Sequence, residues 1–267
     1  MRKIIKNILL KLAPDVAGAW FDKRRNQYIQ AFEKRIGLTE LSERYVEKYG
    51  LEVRNGLFAG MKYLPEATGS VYVPKLLGSY EAEIAEELKA LLTREYEILV
   101  DIGSAEGYYA VGLAFIQKNL KVYAFDSDIR AQKLCQEMAR LNGVDDRVTV
   151  LGKTTSESLN RVCGDKTLLI CDVDGAEHLI LDFEKVPELK MTDILVETHD
   201  FVDSSISSTL IKRFETSHDL LFISTSDKNP KNYPELGFLT DEEQRKILGE
   251  YRPAPQTWGV FRSRQRK

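Results

Sequence analysis

The chain has 267 residues, 43% of them hydrophobic and 30% charged, with a formal charge of −3. That length is enough for one large α/β domain with an appendage, that composition is of the folded, water-soluble kind, and the near-neutral charge excludes a global attraction to nucleic acid. Cys135, Cys163 and Cys171 are scattered without any Cys-x-x-Cys spacing, which argues against a disulfide framework or zinc cluster and predicts a reducing, cytoplasmic setting.

Residues 1–36 read as helix interrupted at Pro14, with Ile4, Ile5, Ile8, Leu9 and Leu12 on one face and Arg2, Lys3, Lys6 and Lys11 elsewhere. Lys11 cuts the apolar run short of a signal core, and no stretch is apolar enough to span a membrane. Residues 1–12 can lie on a membrane surface, or pack on their own domain or on a second copy of the chain; the packed kind is the commoner. From Leu38 to Gly78 only a helix near Thr39 to Tyr49 is legible between glycines and prolines. Ser79 is placed to cap a helix carrying Ile84, Leu88, Leu91 and Leu92.

A strict alternation then begins. The stretch from Glu97 is a strand whose apolar run ends in an acid, Asp101, with Gly103 and Gly107 bracketing a tight turn and a helix from Tyr108 onward. Lys121 to Asp126, Arg147 to Leu151, Leu168 to Val173 and Asp193 to Thr198 follow as strands, with Ile129 to Asn142 a helix closed by Gly143. Such alternation implies right-handed crossovers and a parallel sheet covered on both faces, whose ligands sit at the carboxyl ends of the strands. Leu220 to Thr225 and Thr257 to Arg262, joined by a connection with one helix near Asp241 to Leu248, read as a closing antiparallel pair. The basic end, Arg262 to Lys267, reads as a frayed tail. The expected division is a helical and irregular N-terminal extension, 1–77, before an α/β domain, 78–267.

The loop spacing selects the ligand. A dinucleotide fingerprint needs G-x-G-x-x-G, but Ala105 stands at the second glycine and Tyr108 at the third. What remains, Asp101-x-Gly103-x-Ala105-x-Gly107, looks like the first motif of class I S-adenosylmethionine-dependent methyltransferases. Asp126, 23 positions after Gly103, stands where a carboxylate accepts hydrogen bonds from both ribose hydroxyls.

Taken together, Gly78-Ser79-Tyr80-Glu81, Asp101 to Tyr109, Ala124-Phe125-Asp126, Asp172-Val173-Asp174-Gly175-Ala176-Glu177 and Val196-Glu197-Thr198-His199 resemble the FkbM-type methyltransferases over residues 78–200. Two departures, Asp126-Ser127 for Glu-Pro and Asp174 for Glu, keep a carboxylate. The resemblance implies a Rossmann-like seven-stranded sheet, mostly parallel with the last strand antiparallel. It implies S-adenosyl-L-methionine as donor, S-adenosyl-L-homocysteine as product, and transfer to an oxygen of a small or sugar-like hydroxylated acceptor.

The cofactor residues expected on this reading are Asp101, Gly103, Ser104, Ala105, Gly107, Tyr108, Asp126, Ser127, Lys153 and Asp172. Methyl transfer needs an aligned acceptor oxygen and removal of its proton, so the catalytic candidates are strand-end groups, His199 and Asp172. Asp174, Glu177, Glu197 and Asp200 are acceptor-side candidates. Asp172, Glu197, His199 and Asp200 can also converge on a divalent cation, although capping helix N-termini is the commoner use of such carboxylates, and no metal belongs to the expected cofactor set. Expected partners are a small-molecule acceptor of the sugar or glycan-precursor kind and a second copy of the chain, with no nucleic acid among them. The readings to be separated from this one are an NAD(P)-dependent oxidoreductase or epimerase on the same sheet, and a non-catalytic scaffold that keeps the cofactor fold.

Overall fold

The computed structural model describes residues 27–252 and 254–266. The amphipathic stretch at 1–12, and any membrane or subunit contact it makes, lies outside the described residues. Among those described, no helix is long and apolar enough to cross a membrane.

Nine α-helices are described from Leu38 onward: α1 Leu38–Tyr49, α2 Val73–Leu77, α3 Ala85–Leu92, α4 Tyr108–Ile116, α5 Ile129–Leu141, α6 Ser156–Asn160, α7 Glu177–Ile180, α8 Ile206–Phe214 and α9 Asp241–Leu248. Seven strands, β1 Ile98–Ile102, β2 Lys121–Phe125, β3 Val148–Leu151, β4 Thr167–Cys171, β5 Asp193–Thr198, β6 His218–Ser224 and β7 Thr257–Ser263, form one sheet in the order β3-β2-β1-β4-β5-β7-β6. The first five are parallel, and β7 runs antiparallel between β5 and β6. The expected α/β sheet with a closing antiparallel strand is therefore the observed one.

The period of two along each strand builds a core on each face. Leu99, Leu168, Ile170 and Leu195 join α1, α3, α4 and α5 on one side, while Val100, Ile102, Leu169, Cys171, Ile194 and Val196 join α8 on the other. Residues from 38 to 77 supply Leu38, Leu41, Tyr45, Phe58, Tyr63 and Leu76 to the first of these cores, so that region packs as part of the same folded body.

Two local expectations differ from the fold. Ser79 caps no helix: it is buried, its Oγ contacts the Pro74 carbonyl at 3.4 Å, and a 3-10 turn, Ala82–Ile84, leads into α3. The preceding Gly78, at φ +79, closes α2 instead, which turns Ser79 back against that helix. Nor is the basic end frayed as far as Arg266. Its side chain is 7% exposed and pairs at 3.0 Å with Asp193, a fully buried carboxylate that must find a counter-charge. The guanidinium also lies over the Tyr96 ring at 4.4 Å.

Register brings the strand ends level. Ile102 pairs with Phe125 and Cys171, and Cys171 with Val196, so the next residues, Gly103, Asp126, Asp172 and Glu197, share one edge of the sheet.

Candidate functional site

A cleft of about 1080 Å³ opens along that edge. Its loop side is built by backbone. Gly103 and Ser104 donate their N–H groups to the Phe125 carbonyl at 2.8 and 3.1 Å, folding the β1–α4 loop against β2. On the other flank, a Cβ on Gly103 would stand 1.7 Å from the Asp172 carbonyl oxygen. With φ at +86, that position admits only glycine. Ala105 adopts φ +49, a left-handed conformation that glycine takes more readily, so its methyl group is carried at a local cost.

Asp126 locks this loop. One carboxylate oxygen accepts Ala105 N–H at 2.8 Å and the other accepts Asp128 N–H at 2.8 Å. Asp101, Ser104, Ala105, Tyr108, Ser127 and Lys153 all line the cleft, with Ser127 and Lys153 at its exposed margin. Gly107 does not line it; it starts α4 at φ +96, backed by Cys135 and Val111. Tyr108 packs edge-on against Phe58, Tyr80 and Tyr109 at centroid distances of 5.1, 5.4 and 5.2 Å.

The other half of the cleft is acidic. His199 is 2% exposed, and its Nδ1 lies 2.7 Å from Glu177 Oε1. Its Nε2 faces Glu197 Oε2 at 3.4 Å, Asp172 Oδ1 at 3.6 Å and Asp174 Oδ1 at 3.7 Å. Burial alone would lower the His199 pKa, but the Glu177 hydrogen bond and the charge of Asp172 outweigh it, and the net direction is up. Burial, then Asp172 and Glu81, push Glu197 up to about 11. Burial, then Asp172, push Asp101 up to about 8, and burial with Asp174 raises Asp172. This many carboxylates cannot all stay ionised in a poorly hydrated cleft without further positive charge.

Besides Gly107, two expected site residues sit elsewhere. Asp200 does not line the cleft: it accepts Ser207 N–H at 2.9 Å and the Ser207 hydroxyl, so it serves the first turn of α8. That is the commoner fate of a carboxylate near a helix start. Glu177 is fully buried behind His199, where it also accepts Gly175 N–H at 3.0 Å; it meets the imidazole and not the cleft.

No family model matches the chain, and no curated protein matches it. Solved structures do resemble it in chain path. An O-methyltransferase from Bacillus cereus, in complex with SAH, is 14% identical and covers 66% of this chain and 80% of its own, with a TM-score of 0.44. A SAM-dependent methyltransferase from Geobacter sulfurreducens, in complex with S-adenosyl-L-homocysteine, is 18% identical over 66% of this chain and 88% of its own, at 0.41. A precorrin-6y C5,15-methyltransferase from Geobacter metallireducens is 10% identical over 67% and 88%, at 0.44. These activities are those of the proteins named.

Several residues of the site take no assigned role from sequence, although Glu81 falls in one motif of the resemblance. Glu250-Tyr251-Arg252-Pro253 with Trp258 reads as a polar and aromatic group that either closes the acceptor site or packs the last strand, packing being the favoured reading for Trp258. Glu81, 1% exposed, is clamped by Arg252, whose guanidinium lies 2.5 Å from its Oε1 and 2.9 Å from Glu250 Oε2, and which also bonds Glu197 and Gln256. Arg252 thereby ties the segment after α9 to the ends of β5 and α2. Its only sequence signal is a dense polar and aromatic run, Glu250-Tyr251-Arg252. Glu106, inside the glycine loop and fully buried, accepts Lys75 Nζ at 2.5 Å, the Tyr63 hydroxyl at 2.5 Å and Thr68 N–H at 3.1 Å. Only the lone acid between Ala105 and Gly107 hinted at it. Trp258, fully buried opposite Glu197 in the β5–β7 register, is core.

Proposed function

We propose that the protein is a class I S-adenosylmethionine-dependent methyltransferase of FkbM type, acting on an oxygen of a small or sugar-like hydroxylated acceptor in the cytoplasm. The observation that carries this reading is the charge of the cleft. Asp101, Asp172, Asp174 and Glu197 line it, while of the cations there Lys75 and Arg252 are already held by Glu106 and by Glu81 with Glu250, and Lys153 stands at the exposed margin. An anionic dinucleotide diphosphate meets repulsion there, whereas a donor bearing a sulfonium and an ammonium supplies the missing positive charge.

The residues fit that group. Asp101 Oδ2 is buried without a hydrogen-bond partner and suits an ammonium donor. Asp126, whose oxygens each accept one backbone N–H, stands at the end of β2, where its two carboxylate oxygens suit the two hydroxyls of a ribose diol. The bare backbone at Gly103 permits close approach. When bound, the cofactor supplies an electrophilic methyl on sulfur. Asp172 and His199, at the ends of β4 and β5, are the residues assigned to the acceptor hydroxyl and its proton, and Glu177 fixes the imidazole ring by accepting the hydrogen bond of Nδ1–H. Three free cysteines, two of them buried, accord with a reducing compartment.

Titration calorimetry with S-adenosylhomocysteine and with NAD tests the reading. S-adenosylhomocysteine binds and NAD does not; NAD binding alone would sink it. Asp126→Ala weakens S-adenosylhomocysteine by ten-fold or more with the thermal transition retained, because both the ribose contact and the loop anchor are lost.

A further inference from the structure

We infer that Asp172, Asp174 and His199 form a divalent-cation site at the acceptor end of the cleft. Their ligand atoms, one oxygen from each carboxylate and Nε2, lie within 4.8 Å of one another, with Nε2 at 3.6 and 3.7 Å from the two oxygens. Around an ion with ligands at about 2.1 Å, neighbouring ligand atoms stand roughly 3 Å apart and opposite ones roughly 4.2 Å, so a contraction of less than about 1 Å brings Nε2 to ligand spacing from both oxygens. Nε2 is farther from all three carboxylates than the 2.7–3.2 Å of an ordinary N–H···O bond, although the ring is almost fully buried.

The imidazole is mounted as a ligand. Its Nδ1 is held by Glu177 at 2.7 Å, and Glu177 is itself anchored by Gly175 N–H at 3.0 Å. A carboxylate that accepts the Nδ1–H hydrogen bond fixes the tautomer that leaves the Nε2 lone pair directed at a metal. The commoner use of strand-end acids, helix capping, is taken up by others: Asp200 and Asp203 serve Ser207 and Ser205 at the start of α8, and Ala176 at the start of α7 makes no side-chain cap. A second acidic trio, Glu81, Asp172 and Glu197, also has convergent oxygens, but the Arg252 guanidinium already occupies two of its members.

Two carboxylates and one imidazole suit manganese or magnesium better than a thiolate-loving ion. Asp174 is 62% exposed, so coordination positions on that side face the cleft and admit an oxygen of the acceptor. There the cation lowers the pKa of the acceptor hydroxyl, whose proton passes to solvent, and Nε2 is a ligand in place of the direct proton transfer assigned to His199. This use of the cation rests on the methyltransferase reading; its binding does not.

The test is titration of the EDTA-treated full chain with Mn²⁺, free Mn²⁺ being read by electron paramagnetic resonance, with S-adenosylhomocysteine binding measured on the same preparations. One saturable Mn²⁺ site is expected, weakened ten-fold or more in Asp174→Asn and in His199→Gln and unchanged in Asp200→Asn. Asp174 is exposed, so its variant folds even if the His199 variant does not. Mn²⁺ binding without S-adenosylhomocysteine binding would uphold the cation site and remove the donor reading. Absence of saturable Mn²⁺ binding in a protein that binds S-adenosylhomocysteine, or undiminished binding in Asp174→Asn, would overturn the inference.

Discussion

Ala105 shows what a single residue decides in the loop. Its absence of glycine counts in the sequence against a dinucleotide fingerprint, yet its backbone takes the left-handed conformation that a glycine would. A left-handed alanine costs about 1 kcal/mol, comparable with the unfolded-state entropy that glycine adds. Ala105→Gly is therefore expected to change stability by less than about 1 kcal/mol in urea unfolding, in either direction. A loss of 2 kcal/mol or more would mean that the methyl group packs rather than merely fits. The separation of His199 from Asp200 is also a matter of single residues. They are adjacent in sequence, but one points into the cleft and the other to α8. Nothing in residue type announces that, because both are polar groups at a strand end.

Among elements, the glycine loop is joined to the region before it by one buried ion pair. Lys75 of α2 and Glu106 of the loop are 2% and 0% exposed, and Tyr63 and Thr68 complete the carboxylate's partners. A buried pair is weak evidence of net stabilisation, but breaking it strands a charge. Lys75→Met should cost about 3–5 kcal/mol, measured by urea unfolding. A cost under 1 kcal/mol would show that the Tyr63 hydroxyl and Thr68 N–H suffice to hold the Glu106 carboxylate. The periodicity of β1 to β5 and of α5 is legible because burial on both faces, or on one, repeats at a fixed interval. The stretch from 50 to 72 was not legible, since its turns are held by contacts distant in sequence, such as Asn142 with Lys62 at 2.8 Å.

At the scale of the molecule, acid response is divided between the cleft and the far end of the sheet. His218 opens β6, fully buried, its Nε2 against the Thr192 carbonyl and its Nδ1 against the Ser217 hydroxyl, each at 2.9 Å. Burial lowers its pKa, so the folded protein keeps it neutral. As pH falls through about 6.5, the unfolded chain gains a proton there that the folded one does not, and stability declines. The melting temperature is expected to fall more steeply between pH 7.5 and 5.5 in the natural chain than in His218→Gln. Equal slopes would remove His218 from the acid response.

The alternation of apolar strands and helices, the glycine at position 103 and the acids closing β1, β2, β4 and β5 were all determined by local pattern. Periodicity and backbone sterics act within a few residues, and sequence displays them directly. Which acids face one another was decided only by tertiary structure. Parallel register sets Gly103, Asp126, Asp172 and Glu197 on one edge, and a segment about 170 positions beyond Glu81 brings Arg252 back to it. The opposition of Glu177, His199, Asp172 and Asp174 depends in the same way on two crossovers closing over β4 and β5. Charge and hydrogen bonding act through space, so neither the cationic demand of the cleft nor its candidate cation site exists until those distances are set.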